Sequence, residues 1–542
     1  MSTPENRSQE KPLHDYLREH ACSQPDKVAY LWYGRALSFR ELNDLSDRFA
    51  AKLESLGVKK GDRVALFMQN CPQYVIAHFG IQKLGAIVSP CGPLFKRHEL
   101  SYQLGDLGAE VIVAADNLYP IIEAAREKTA LRHVFLTHYA DFLPAQPTLD
   151  VPAEICTPKL PIPDTPDTLD FLASLETLDM TTQTTPRPVL SMDDIALMTY
   201  TSGTTGMPKG AMLSYRNAYF KTAAVSNCNG VDQDEVLLAI APLNHIAGML
   251  MGIDIAIYSG ATTVLMYRFD PVSVLQAIER YHVSWWYSIA PMNVAVMQVA
   301  GADKFNLSSL RINPVTSFGI TLTKSLADQW QQFCGNCLTF EAAYGLSETH
   351  TGDTFMPRDA IKWGSQGKPV PGVECRIINP DNGQEQPCGA LGEIVLRSPG
   401  TFHGYWKMPD ATAATLRDGW VHTGDMGKLD ADGYLTFSGR FKEMIKVSGY
   451  SVFPEEVEAI LIKHPAIQQV AVIGVPDATK GEVVKAVVVM KPNLADDLTA
   501  EDIMLWSREQ MSAYKVPRAV EFRTSLPATG AGKLLRRLLK EA

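Results

Sequence analysis

The sequence predicts an α/β protein: a large, multi-layered N-terminal domain with largely parallel sheets, followed by a small, mobile α+β C-terminal domain. Three observations carry this expectation. The chain has 542 residues, too many for one hydrophobic core and enough for several. Helix-like and strand-like segments alternate from the first hundred residues on, as they do where helices connect parallel strands. Past residue 440, roughly a hundred residues carry a helix–strand pattern of their own, enough for a small separate domain.

Residues 38–57 illustrate the local logic. Ser38 and Glu41 form a capping-box pattern, and Leu42, Leu45, Phe49, Leu53 and Leu56 follow at helical spacing. Gly57 falls where a helix ends. A strand-like run at 63–68, a helix-like segment and an apolar run at 86–89 continue the alternation. Residues 142–188 are rich in Pro, Thr and Asp and read as a long surface excursion, with one short helix near 169–178. The stretch 195–198 reads as a buried strand. The domain boundary is expected at 440–443, giving domains 1–441 and 442–542. Beyond it, 454–464 and 500–511 read as helices, and 467–474 and 482–490 as strands.

Composition sets limits. Hydrophobic residues at 46% and charged residues at 20% are those of an ordinary globular protein. A net charge of −10 argues against nucleic acid as a partner, though anionic small molecules need only a local positive site. Nine cysteines without a framework fit reduced thiols in a cytoplasmic enzyme. Cys334-x-x-Cys337, without a second pair or a histidine partner, reads as an inert helix-to-strand connection. The polar first residues lack the apolar core of a secretory signal. The most apolar region, 236–266, is interrupted by Asn244, His245 and Asp254, so no membrane span is expected; membrane contact is peripheral at most.

One run carries most of the chemistry. Thr201-Ser202-Gly203-Thr204-Thr205-Gly206-Met207-Pro208-Lys209-Gly210 follows the strand at 195–198 directly. Glycines let backbone N–H groups turn toward a ligand, hydroxyls add donors and Lys209 adds charge, which together make a polyphosphate clamp. It is not a Walker loop, because Lys209 precedes a glycine and no Ser/Thr follows. A polar surface turn is the plainer alternative.

This run resembles the phosphate-binding signature of the adenylate-forming superfamily, which includes acyl- and aryl-CoA synthetases, peptide-synthetase adenylation domains and beetle luciferases. Four further motifs follow in the family's order. Tyr344-Gly345-Leu346-Ser347-Glu348-Thr349 resembles the motif whose aromatic stacks on adenine, whose threonine (assigned to Thr349) touches the α-phosphate and whose glutamate (Glu348) holds Mg²⁺. Trp420-Val421-His422-Thr423-Gly424-Asp425 resembles the motif whose aspartate accepts the ribose hydroxyls. Gly439-Arg440-Phe441-Lys442-Glu443-Met444-Ile445-Lys446 resembles the hinge motif, with Arg440 near ribose and phosphates and Lys442 at the hinge. Leu526-Pro527-Ala528-Thr529-Gly530-Ala531-Gly532-Lys533 resembles the loop carrying the catalytic lysine of adenylation. Lys533 otherwise opens a basic amphipathic tail, 533–540.

The resemblance implies ATP and CoA as co-substrates, Mg²⁺ as cofactor and a two-step reaction. A carboxylate attacks the α-phosphorus of ATP to give an acyl-adenylate and pyrophosphate, and CoA then displaces AMP. It implies metal contacts at Thr201 and Glu348, a second-half role for Lys446, a CoA passage past Ser448, Gly449 and Tyr450, and an acyl pocket at His245, Phe318, Gly319 and Ile320. Gly319 is also expected beside the nucleotide. Phe318 and Ile320 are bulkier than the small residues common in the family, which leaves chain length open. The Pro93-Leu94-Phe95-Lys96 segment with His98-Glu99-Leu100 resembles fatty-acyl-CoA synthetases. Met249, Met251, Met266, Trp285, Trp286 and Tyr287 read either as an apolar pocket or as plain core. The expected substrate is a medium- or long-chain fatty acid. An aryl- or other-acid-CoA ligase, an acyl-AMP ligase loading a carrier protein, and a degenerate nucleotide- or acyl-binding protein remain alternatives. A homodimer is possible on this scaffold.

Overall fold

The computed structural model describes residues 10–176, 188–201, 208–317, 320–447, 450–477, 481–492, 498–528 and 534–540. Two large sheets make the N-terminal body. The first orders its strands Thr168–Asp170, His133–Thr137, Val111–Ala115, Arg63–Phe67, Ile87–Pro90, Ile195–Thr201 and Lys209–Ser214. All of its pairings are parallel except the last, where Thr201 lies opposite Lys209. The second sheet is built around Val236–Ala239, Thr262–Leu265, Trp285–Trp286, Ile312–Thr316 and Leu338–Glu341, all parallel, with an antiparallel hairpin Val28–Trp32 and Arg35–Ser38 at its edge. Strands buried on both faces need continuous apolar runs, and Val111–Ala115 and Ile87–Pro90 are buried at every residue.

A third, all-antiparallel sheet follows, with Glu374–Ile378, Gly392–Arg397, Trp420–Leu429 and Leu435–Arg440. The C-terminal part places Ile467–Asp477, Gly481–Met490 and Ala519–Phe522 beside the hairpin Ile445–Val447 and Tyr450–Val452, with helices Pro454–Leu461 and Ala500–Gln510. It encloses its own apolar cluster, including Val457, Leu461, Val472, Val488 and Ile503. The architecture is the expected mixed α/β one. Among the described residues no helix is long and apolar enough to cross a membrane.

Most local readings correspond closely to the structure. The 38–57 pattern forms the helix Phe39–Ser55, with Gly57 just beyond its end at φ +86°, a conformation that glycine adopts without strain. Its cap is only half of the expected box. Ser38 Oγ accepts the Glu41 N–H at 3.2 Å, but the Glu41 carboxylate turns to the Arg35 guanidinium, a charged donor that a backbone amide does not match.

The excursion at 142–188 departs further from expectation. Phe142, Leu149, Ile155, Phe171 and Leu175 are buried in the main core, and the Phe171 ring lies 5.0 Å from that of Phe49. Residues 168–170 form an edge strand instead of the start of a helix, which begins at Phe171 and runs to Glu176. Their backbone completes the parallel sheet at His133–Thr137, a tertiary demand that local pattern does not carry.

Ser38→Ala removes one cap acceptor and should lower stability by about 1 kcal/mol. A urea titration would show a lower midpoint with an unchanged slope.

Candidate functional site

The antiparallel pair Ile195–Thr201 and Lys209–Ser214 delivers Lys209 to one wall of the site. Residues 202–207, which include Ser202, Gly203, Thr204, Thr205 and Gly206, lie outside the described residues. Segment 402–406 docks along this hairpin. His403 N–H donates to Met212 O at 2.9 Å, Met212 N–H to Gly404 O at 3.0 Å and Trp406 N–H to Gly210 O at 2.8 Å. That pairing sets the Tyr405 ring 4.2 Å below the Lys209 ammonium, a cation–π contact. The Tyr405 hydroxyl donates to Glu348 Oε1 at 2.7 Å. Burial, and then the Glu348 carboxylate, push that hydroxyl well above its ordinary range, so it remains a donor.

The opposite wall comes from the third sheet. Asp425 and Arg440 face each other across paired strands, with Arg440 Nε 3.1 Å from Asp425 Oδ1. The Tyr344 hydroxyl donates to Asp425 Oδ2 at 2.7 Å. Burial works against the Arg440 charge, but Asp425, Tyr344, Glu443 and Glu348 outweigh it and hold the guanidinium protonated. Tyr344 is 8% exposed, and its ring stacks on Phe437 with centroids 5.9 Å apart. A Cβ at Gly345 would stand 2.5 Å from the Gly352 nitrogen, so the chain can close this turn only with glycine there.

Between the walls, Ser347–Thr349 form one 3-10 turn. The structure corrects the reading of Thr349. That residue is fully buried, and its hydroxyl donates inward to the Asp353 carboxylate, so it faces the core. Ser347, half-buried beside Glu348, is the hydroxyl of the motif on the outer side. Asp353 is itself paired with Lys221, both side chains at 0% exposure.

The acid side is less compact. His245 is exposed and caps the helix Ile246–Met249, its Nδ1 accepting the Ala247 N–H at 3.3 Å. Phe318 and Gly319 lie outside the described residues. Ile320 packs with Val315, Leu322 and Ala327. Ser317 anchors this loop at both ends. It donates its N–H (3.0 Å) and its hydroxyl to Glu341, while its Oγ accepts the Leu322 N–H at 2.9 Å. Burial raises the Glu341 carboxyl to about 7, against the two hydrogen bonds from Ser317. Met249, Met266, Trp285, Trp286 and Tyr287 belong to the main core, with Met251 packed against it, which settles their double reading in favour of core. The Pro93–Lys96 segment borders a cavity of about 250 Å³ that Tyr139 and Tyr267 also line. A larger cavity of about 480 Å³ between Leu45, Arg48, Leu143 and Leu175 shares no residue with the motifs.

In the C-terminal part, Lys442 is exposed within the turn Phe441–Glu443. Lys446 is exposed on Ile445–Val447, and its N–H donates to Glu482 Oε2 at 2.9 Å. Ser448, Gly449 and Lys533 lie outside the described residues, and Tyr450 begins the strand Tyr450–Val452. Flanking Lys533, Ala528 and Leu534 form an antiparallel bridge. Arg536, within the basic amphipathic tail read from the sequence, is largely buried. It pairs with Glu443 at the hinge, Glu455 at 2.9 Å and Glu458 at 2.8 Å.

Sequence reasoning missed Tyr405, Lys221, Asp353, Glu341 and Arg536. None sits in a motif with an obvious role of its own, and each has a partner at least 24 residues away in the chain. The Cys334 and Cys337 thiols are buried at the helix–strand connection, where burial pushes them up, Cys337 to about 12.

Comparison with known proteins gives a consistent pattern. The family model for the AMP-binding enzyme matches residues 17–406, and that for the AMP-binding enzyme C-terminal domain matches 456–533. A long-chain-fatty-acid–CoA ligase of Escherichia coli O157:H7 is 34% identical over 552 residues, covering 100% of this chain and 96% of the relative. A feruloyl-CoA synthase of Amycolatopsis sp is 34% identical over 518 residues, covering 95% and 96%. Among solved structures, the anthranilate CoA ligase AuaEII in complex with anthranoyl-AMP superposes with a TM-score of 0.85 at 29% identity, covering 99% of this chain and 98% of that one.

Folded Glu341 keeps its proton to about pH 7, against an ordinary value of 4.5. The native state therefore binds more protons than the unfolded chain between these values, and stability falls as pH rises through that window. Glu341→Gln should abolish this slope and gain stability over the parent chain from pH 5 to pH 8. Parallel urea-midpoint profiles for the two proteins would contradict the assignment.

Proposed function

The chain belongs to the AMP-binding enzyme family as an acyl-CoA synthetase, and from that premise we propose that it activates a medium- or long-chain fatty acid. Acid, ATP and CoA are its small-molecule substrates. The observation that supports the residue-level reading is that two chains of contacts, Lys209–Tyr405–Glu348 and Tyr344–Asp425–Arg440, both run from the one motif 344–349.

In this reading the clamp at Thr201–Lys209 holds the phosphates, Tyr344 and Gly345 border adenine, and Asp425 takes the ribose hydroxyls with Arg440 beside it. Ser347 replaces Thr349 at the α-phosphate. A magnesium ion is bound through one or two carboxylates plus substrate phosphates rather than a protein cage, and Glu348 fits as that carboxylate, with Thr201 a further oxygen. The ion supplies charge neutralisation on the phosphates. The first half-reaction brings two anions together, so positioning and fixed positive charge dominate catalysis. Lys533 is the donor to the carboxylate and the α-phosphate. Rotation at Lys442, between domains 1–441 and 442–542, then brings Lys446 and the passage at Ser448, Gly449 and Tyr450 to the acyl-adenylate, with His245 lining the channel.

Two observations bear on the acid. Long-chain-fatty-acid–CoA ligases stand among the relatives across the full length of the chain. Asp254, the nearest acidic candidate for an amino acid's ammonium, is 2% exposed and bonded to His350, which argues against amino acids. The feruloyl-CoA synthase at equal identity supports an aryl acid as the second reading. AMP release from ATP, measured with and without CoA across acetate, ferulate, an amino acid and fatty acids of rising length, separates these. CoA-dependent release peaking at medium or long chains is expected; a peak at ferulate would overturn the fatty-acid reading.

Lys533→Ala should cut acyl-adenylate formation by about 10² to 10³ or more while leaving thioester formation from supplied acyl-adenylate largely intact. Equal loss in both halves would remove Lys533 from its role. Lys442→Pro, which fixes φ at the hinge, should slow thioester formation more than adenylation.

A further inference from the structure

The chain leaves the Glu348 turn through three consecutive left-handed residues, His350 (φ +56°), Thr351 (φ +53°) and Gly352 (φ +61°). Only the last is a glycine, so two side-chain-bearing residues are held where L-residues are strained. Such a conformation persists only where the surroundings over-determine it. One constraint is Thr349, bonded to Asp353 and through it to Lys221. The other is His350, whose Nε2–H donates to Asp254 Oδ2 at 3.1 Å with both residues buried to 2% exposure or less.

Asp254 is the last residue of one π-helical turn, Leu250–Asp254, continuous with the helix Ile246–Met249 that His245 caps. A π-turn adds a residue to the helical repeat and re-aims the side chains after it, and such turns are frequent at functional sites. Here it ends at buried Asp254, in the same continuous helix that exposed His245 caps. His78 packs into the same region, neutral because burial lowers it to about 4, and Tyr30 and Tyr74 complete the buried surroundings of Asp254. Among the described residues no lysine or arginine is paired with Asp254, so His350 is its ionisable hydrogen-bonding partner.

We propose that Asp254 and His350 are positioning residues that hold the Glu348 turn in its ATP-binding conformation and tie it to the His245 helix on the acid side. They act through Glu348 and Ser347 and touch neither substrate. The inference rests on the reading of Glu348 as the carboxylate of the Mg·ATP site. It predicts coupling between the two sides, because displacing the helix pulls on the same turn that carries Glu348.

The test compares Asp254→Asn, His350→Gln and their double variant in the full-length enzyme. Pyrophosphate release is followed over a range of Mg·ATP, and thioester formation is followed from supplied acyl-adenylate and CoA. Each single variant should raise KM for Mg·ATP about tenfold, change the second half less than about twofold, and the double variant should be no worse than the singles. Unchanged KM, equal losses in both halves, or additive losses would each overturn the proposal. His350→Asn, which tolerates the left-handed backbone, carries the test if Asp254→Asn fails to fold. Glu348→Gln separates the two readings. If it leaves KM for Mg·ATP unchanged, the site reading itself fails; if it raises KM while the pair variants do not, only the present inference fails.

Discussion

The ion pair between Lys221 and Asp353 organises the site from beneath. Both side chains are fully buried, where burial pushes the lysine down and the carboxyl up while their pairing opposes both shifts. Removing one partner from such a pair costs about 3–5 kcal/mol, because the other charge is left without compensation. The pair therefore keeps the helix Tyr215–Asn229 and the turn after Glu348 together. The same helix also reaches the segment before Tyr405, since the Asn217 amide donates to Pro399 O at 2.7 Å and to Thr401 O at 3.0 Å. Those residues lead into the segment that carries Tyr405. One helix thus sets the relative position of Glu348 and Tyr405, and through Tyr405 that of Lys209.

Electrostatics at the site are local. A chain with net charge −10 still concentrates Lys209 and Arg440 around a turn bearing Glu348, with Asp425 on the far wall. Each charge is held by a neighbour, Lys209 by the Tyr405 ring and Arg440, Asp425 and Glu348 by a hydrogen bond or ion pair, so little reorganisation is needed when charge develops on a phosphate. The C-terminal part uses the same device on a different scale. Arg536 gathers three carboxylates, from the hinge turn and from the helix Pro454–Leu461, so the chain leaving the 526–533 loop is anchored to the start of its own domain.

Legibility in the sequence follows the range of the interaction. Motif residues such as Tyr344, Asp425 and Arg440 are recognisable because each motif is short and contiguous, whereas the meeting of Tyr344 and Arg440 at Asp425 is decided by the fold. Within a motif, orientation was not legible. Thr349 and Ser347 flank Glu348 equally in sequence, and only the 3-10 turn decides that Thr349 points at Asp353 while Ser347 faces outward. His245, expected from sequence at the acyl pocket, is exposed and caps the helix Ile246–Met249. Glu41 reads as a capping partner until Arg35, on a neighbouring strand, offers a charged donor.

Sequence alone determined the alternation of helices and strands, the separate C-terminal unit, and the residue types able to handle a nucleotide and a carboxylate. These depend on periodicity and short motifs, which are local properties of the chain. Tertiary structure decided which of those residues face one another and which are turned into the core. It also supplied Tyr405, Lys221, Asp353, Asp254 and Arg536, whose roles exist only through partners brought close by the sheets. The physical reason is desolvation. A buried polar group must find its partner wherever the fold supplies one, and sequence distance does not enter that requirement.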